Sequence, residues 1–365
     1  MDDYKNLTQE EIINIRRIKS KNYKDALKKA RLPYCFLCGK EVKGFCNSHS
    51  IPSFILKEIS DEGYVYNFSS LLGMEQIIGE KVGLNTAGVF SMICNDCDQK
   101  FFKDYESKDK IVGIYNKIKN KKIDNEVDKV LALIYIKSIL KSLFRKRIDV
   151  YEMKEIYDNF DVIHNEPYVS NMNVNDYMIE FKKCEEVLHG NQNIIVYESI
   201  ELPYKVSFCT QSLISLQNDI DNQCINNVFC MDPNYHIVDI CICMFPFDDK
   251  SYIFIFGLEN SKQRYKNLFR KYKKLTHQQK LKLIQTIIFS YSEEVYISKE
   301  LLYYIKQDSK LIFQCRQGTS LDRKLHSKFS NVILQGKIDI DNYELQTNYL
   351  DRKYSVKSLK NRKKL

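Results

Sequence analysis

Residues 35–38 read Cys-Phe-Leu-Cys, residues 46–52 read Cys-Asn-Ser-His-Ser-Ile-Pro, and residues 94–106 read Cys-Asn-Asp-Cys-Asp-Gln-Lys-Phe-Phe-Lys-Asp-Tyr-Glu. Two C-x-x-C knuckles therefore stand on either side of a long insert. Each knuckle can offer two thiolates at about 2.3 Å to one tetrahedral ion, the pattern of a structural four-cysteine zinc site. Gly39, directly after Cys38, suits the tight turn of a knuckle because glycine accepts positive φ at little cost. A second arrangement is open on the same residues. Cys35, Cys38, Cys46 and His49 also have the spacing of a zinc quartet, which would leave Cys94 and Cys97 to other partners.

The order of these residues resembles the HNH, or His-Me finger, nucleases, and in particular their zinc-stapled bacterial members. In that group a C-x-x-C knuckle is followed by an acidic residue, His-Ile-Ile-Pro, and then a C-x-x-C-Asn that opens a helix. Here the corresponding stretches are Cys35/Cys38, His49 to Pro52, and Cys94/Cys97, and the resemblance covers residues 34–106. Two positions depart from it: Ser48 stands where the family has an acid that binds metal, and Asp98 stands where it has asparagine.

The resemblance implies a treble-clef, or ββα-metal, module in which the zinc is structural, because all four of its positions are filled. It implies His49 as general base, since a neutral imidazole near pH 7 accepts a proton from water. It places Asp98 where the hairpin is pinned, and Glu106, or Asp104 as its neighbour, where a second metal would be held. That metal would be Mg²⁺ or Mn²⁺, which needs few protein ligands. Eight residues of continuous helix span about 12 Å, which would give Asp98 and Glu106 separate roles. The implied activity is metal-dependent cleavage of nucleic acid, most simply DNA, as in bacterial restriction, phage defence or mobile elements. The competing expectation is a non-catalytic zinc protein that docks nucleic acid or a protein partner.

Beyond this module the chain reads as α+β. Its 365 residues, 44% hydrophobic and 28% charged, suffice for a large core. Residues 1–33 form a basic N-terminal helix: Thr8 with Glu11 makes a capping box, and Ile12, Ile15, Ile18 and Leu27 repeat at helical spacing. Residues 107–190 read as helical, with Val127 to Phe144 strongly apolar. Residues 191–320 open on β-branched and aromatic runs, Ile194–Tyr197, Lys205–Cys209, Val228–Met231, His236–Phe245 and Tyr252–Phe256. These predict an antiparallel meander, followed by helices. Residues 321–365 form a C-terminal extension. The long middle of the chain, 107–320, is where self-association or a protein partner would be placed.

Charge leaves nucleic acid open as a partner. The net charge is +9, and residues 262–282 carry nine bases without an acid, interleaved with Tyr265, Phe269 and Tyr272. This stretch is read in two ways, as an amphipathic helix with its aromatics inward or as a phosphate-tracking surface. The last residues, Arg352 to Leu365, hold seven bases and no acid, and a mobile tail is expected there. The longest apolar candidate, Val130 to Leu140, is broken by Lys137, so no membrane span is expected. With no secretory signal in the opening residues, the remaining cysteines read as reduced thiols of a cytoplasmic protein. His164, His189, His236, His277 and His326 are scattered and read as core or surface residues.

Overall fold

Every residue from Ile240 to Phe247 is buried. Cys241, Cys243, Phe245 and Phe247 enter one apolar cluster, whereas Ile240, Ile242 and Met244 enter another. Successive residues of a strand point to opposite faces, so this stretch is the centre of a sheet covered on both sides. The computed structural model describes residues 8–42, 44–68, 80–157, 166–292, 294–312 and 340–362. His164, His326, Cys315 and residues 321–339 of the C-terminal extension lie outside them.

The elements in chain order are α1 (Gln9–Ala30), β1 (Ser48–His49), α2 (Ser53–Ile59), β2 (Tyr64–Asn67), β3 (Glu80–Gly83), β4 (Val89–Phe90) and α3 (Asn95–Phe101). Three helices follow, α4 (Lys108–Lys119), α5 (Asn125–Tyr157) and α6 (Glu166–Leu188). Then come β5 (Ile195–Leu202), β6 (Phe208–Ile214), β7 (Ile240–Phe247), β8 (Lys250–Gly257), α7 (Ser261–Arg264), α8 (Lys266–Tyr272) and α9 (His277–Tyr291). Strand β9 (Val295–Ile297), helix α10 (Lys299–Ile305), two short 3-10 turns (Ile340–Leu345 and Arg352–Tyr354) and helix α11 (Val356–Arg362) follow among the described residues. The α+β class and the order of module, helices, sheet and helices are as the sequence predicts.

The main sheet is antiparallel, with strand order β3-β2-β9-β6-β7-β8-β5. Strands β6, β7 and β8 follow one another, but β5 lies beside β8 and not beside β6. That is a Greek-key order rather than the expected meander. Val228–Met231 is a loop, next to Asn226, whose side-chain amide donates to the Leu216 and Val238 carbonyls. Two strands come from the insert between the knuckles: β2 pairs with β9 through Tyr66↔Ile297 and Asn67↔Tyr296. The insert and the C-terminal half thus share one hydrogen-bonded surface.

One face of the sheet carries α5, α6, α1 and the cysteine stretch; the other carries α8, α9, α10 and α11. Every residue of α5 from Val130 to Leu140 is buried, including Lys137. A helix apolar on all sides belongs inside a layered core. Among the described residues no helix is long and apolar enough to cross a membrane.

Two basic segments are more committed than their composition suggests. In 262–282, Tyr265, Phe269 and Tyr272 are buried, Lys271 bridges Asp219 and Asp221 at 2.6 Å each, and Lys280 meets Glu198 at 2.9 Å. Lys262, Lys266, Arg270, Lys273 and Lys274 face solvent. The C-terminal segment, expected to be mobile, is docked through residue 362. Leu359 is buried, and the Val356 amide donates to the Lys205 carbonyl at 2.9 Å.

A buried polar knot ties α5, α6 and the entry to β7. The Tyr135 hydroxyl donates to Glu180 Oε2 at 2.9 Å, and the Asp239 amide donates to Glu180 Oε1 at 3.0 Å. Burial, then the charge of Asp239, pushes the Glu180 carboxyl well above the carboxylate range. The folded state therefore keeps a proton that the unfolded chain loses above about pH 4.3. Stability from this group is present at low pH and is lost as pH rises from there toward the folded value. Glu180→Gln carries no such proton. In urea unfolding it is expected to exceed the wild type in stability at pH 8, with the gap closing toward pH 5. A pH-independent gap, or a less stable variant at pH 8, would contradict the assignment.

Candidate metal centre and clamped histidine hairpin

Both knuckles are built locally. The Cys35 amide donates to the Lys40 carbonyl at 2.8 Å and the Gly39 amide to the Cys35 carbonyl at 2.9 Å, with Gly39 at φ +68. Cys94 is the N-cap of α3 and Cys97 sits in its first turn. The four sulfurs of Cys35, Cys38, Cys94 and Cys97 lie within 4.8 Å of one another, and Cys38 Sγ is 3.9 Å from Cys94 Sγ. A tetrahedron with arms of about 2.3 Å has edges of about 3.8 Å, so the donor set fits one zinc ion. The Cys94 amide donates to Cys35 Sγ at 3.3 Å. Burial alone would raise the Cys35 thiol, but the amides of Cys38, Cys94 and Leu37 outweigh it and bring it down to about 7. Amides that favour the thiolate also prepare it to bind metal.

The alternative quartet is excluded by placement. Cys46 Sγ donates to the Ile93 carbonyl at 3.3 Å, and burial, followed by the charge of Asp98, pushes its thiol up to about 12. His49 Nε2 lies 2.9 Å from the Leu84 carbonyl oxygen. Neither side chain belongs to the sulfur cluster.

His49 sits on the two-stranded sheet β1-β4, a hairpin closed by the long excursion through α2, β2 and β3, and it is held at the residue before it and the residue after it. Strand β1 pairs with β4 through Ser48↔Phe90 and His49↔Val89. Ser48 donates to Asp98 Oδ1 at 2.5 Å, and Asp98 in turn lies 3.3 Å from Lys137 Nζ. Ser50 donates to Glu294 Oε2 at 3.0 Å, and Glu294 Oε1 lies 3.2 Å from Lys141 Nζ. Lys137 and Lys141 are one turn apart on α5, so a single helix anchors both sides. Lys141 also donates to the Val89 carbonyl at 3.1 Å, on the strand opposite His49. Gly88 has φ +67, and a Cβ there would stand 2.7 Å from Ser50 Oγ, so the clamp closes only over glycine.

Ser48 and His49 are adjacent on a strand and leave it on opposite faces. While Ser48 faces Asp98, His49 turns toward the insert. A carbonyl can only accept, so Nε2 of His49 carries the proton that bonds Leu84. In the neutral ring Nδ1 is then the basic nitrogen.

Asp98 and Glu106 meet on one ammonium, contrary to the separation that a continuous helix would impose. Helix α3 ends at Phe101, and the Glu106 amide turns back to donate to the Phe102 carbonyl at 3.4 Å. Lys137 Nζ forms ion pairs with both carboxylates, and its side chain is 1% exposed. It also lies 4.7 Å from the Phe102 ring centroid and 5.6 Å from that of Tyr105. Asp104 points elsewhere, to Lys129 at 2.7 Å, and that ion pair lowers its carboxyl below the usual range.

A Mg²⁺ or Mn²⁺ ion between Asp98 and Glu106 would have to share the gap with a buried ammonium. As they stand, these carboxylates do not fit a divalent cation, and no chemistry is assigned to one here. Among the described residues no second group of His, Cys, Asp and Glu side chains converges as a metal site.

Lys141, Glu294 and Ser50 have no local motif that marks them. Lys137 has one: it is the charge that breaks an otherwise apolar run. Compared with protein families, with curated proteins and with solved structures, the chain finds no match.

Proposed function

We propose that the chain is a zinc-stapled nucleic-acid-binding protein, in which a His-Me-finger-like frame has its hydrolytic ion site closed by an internal lysine. The observation that carries this reading is Lys137, held between Asp98 and Glu106 at 1% exposure. With the ammonium there, the two acids are each other's neighbours through a fixed charge and have no need of a metal. Ser48 in the position of the family's acid removes the remaining carboxylate. The net charge of +9 and the exposed bases Lys262, Lys266, Arg270, Lys273 and Lys274 support attraction to a polyanion.

Hydrolysis is the second reading, and one observation favours it. The Leu84 carbonyl fixes the tautomer of His49 and leaves Nδ1 as a base on a rigid hairpin. The two readings part on one experiment, plasmid DNA incubated with the zinc-loaded chain in Mg²⁺ or Mn²⁺. The proposal expects salt-sensitive retention of DNA without nicking. It also expects His49→Ala to keep its zinc, its fold and its DNA affinity, since His49 is not a sulfur-cluster ligand. Metal-dependent nicking that disappears in His49→Ala would overturn the binding reading in favour of the enzyme.

A further inference from the structure

Tyr303 is 65% exposed and Tyr64 is 41% exposed. They lie at the same end of the sheet. Tyr303 is one turn along α10 from Lys299, and Lys299 Nζ lies 3.3 Å from Asp61 in the turn that opens β2. The Asp61 amide donates to the Tyr64 carbonyl across that turn at 2.9 Å. Next to Tyr64, the Gly63 carbonyl accepts from the Leu84 amide at 3.1 Å, and the Leu84 carbonyl accepts from His49. A continuous path of hydrogen bonds and one ion pair therefore joins the His49 hairpin to α10.

Cations accompany the rings along this path. Lys81 Nζ lies 3.9 Å from the centroid of Tyr64. Tyr303 meets Tyr304 in a T-shaped pair, at 5.5 Å and 90°, and keeps 65% of its surface exposed. Tyr304 is 5.7 Å from Tyr354, and these two rings carry Arg362 at 5.9 Å and Lys353 at 5.2 Å. Of the nearby acids, Asp61 is paired with Lys299, Asp351 accepts from the Lys353 amide, and Asp308 accepts from Tyr349. Glu62 adds one exposed negative charge at the turn.

We infer that this run, from Tyr64 past Tyr303 to Tyr354, is a binding track for single-stranded nucleic acid. Exposed aromatic faces stack on unpaired bases of any sequence, while a duplex keeps its base faces hidden. Lys81, Lys353 and Arg362, each over one ring of the run, supply positive charge for the phosphates that separate successive bases. The track leads to the His49 hairpin, so it names the class of nucleic acid that the module would receive. The inference rests on the nucleic-acid-binding reading and narrows it.

The test is fluorescence anisotropy with a labelled oligothymidylate and with the corresponding duplex. Zinc-loaded full-length chain in the His49→Ala background is used so that no strand is cut. Tyr303→Ala is expected to weaken single-strand binding about tenfold and to leave duplex binding unchanged, the loss of one stacked base. Tyr303→Phe keeps the ring and is expected to bind as the parent does. Because Tyr303 is 65% exposed, neither change threatens the fold. Replacing Lys353 and Arg362 by Gln is expected to flatten the salt dependence on single strands by about 0.7 per lost phosphate contact. Duplex binding with no preference for single strands, or an unchanged affinity in Tyr303→Ala, would overturn the track while leaving nucleic-acid binding intact. No binding to either probe would overturn both.

Discussion

Cys97→Ser is expected to purify without stoichiometric zinc and with the stretch around residues 34–106 open to protease. The wild type is expected to hold about one zinc per chain. The four sulfurs come from two knuckles far apart in sequence, and an ion held by all four would bond the knuckles together. Cys35 is buried beneath the site, so its thiolate, left without metal, would be an uncompensated charge in the core. Apparent binding energies for structural zinc run to about 10–16 kcal/mol, and in such a site that energy is folding energy. The effect should be confined. The apolar cluster on the opposite face of the sheet, formed by α8, α9 and α10, contains none of these cysteines. Circular dichroism should therefore show partial loss, and limited proteolysis should place it in the cysteine stretch. Full zinc retention in Cys97→Ser would sink the shared site.

Lys137→Met is expected to lose about 3 kcal/mol of stability in urea unfolding. Removing one partner of a buried ion pair typically costs about 3–5 kcal/mol, because the other charge is left without compensation. The partial exposure of Asp98 and Glu106, 22% and 32%, puts the expectation at the low end. Methionine fills the space of the lysine stem, so the loss would be one of charge rather than volume. With the ammonium gone, the two carboxylates are left without their shared cation. The variant should therefore unfold at a lower urea concentration than the wild type. It should also gain what the wild type lacks, a gap that Mn²⁺ can enter. A thermal shift with Mn²⁺ in Lys137→Met and none in wild type is the expected pattern. Equal Mn²⁺ stabilisation of both proteins would mean that Lys137 does not close the site. Unchanged stability at neutral pH would mean that the ion pairs contribute nothing.

These two sites differ in how far the sequence reveals them. Cys35, Cys38, Cys94 and Cys97 are readable because thiolate pairs at C-x-x-C spacing are a local signal with one dominant use. The pinning of the hairpin by residue 98 is readable only through the resemblance, and in the structure Asp98 holds Ser48 as an acceptor of its hydroxyl. Helical spacing separates Asp98 from Glu106 only if the helix runs past Phe101, and it stops there. In the tail the charge is visible in the sequence, but the burial of Leu359 is not.

By itself the sequence determined the four-cysteine cluster that could hold a metal ion, the α+β class, the long apolar α5 and the strand character of the region around β7. Each of these follows from spacing or periodicity within a few turns of chain. Tertiary structure alone decided that Lys137 would answer two acids, that Ser50 would find Glu294 across 244 residues, and that β2 of the insert would pair with β9. The physical reason is that a buried charge is tolerated only where its partners arrive. The partners of Lys137 arrive from within α3 and from the turns that follow it, and the partner of Ser50 from the residue before β9. No local rule encodes either arrival, because both depend on how the sheet and α5 pack together.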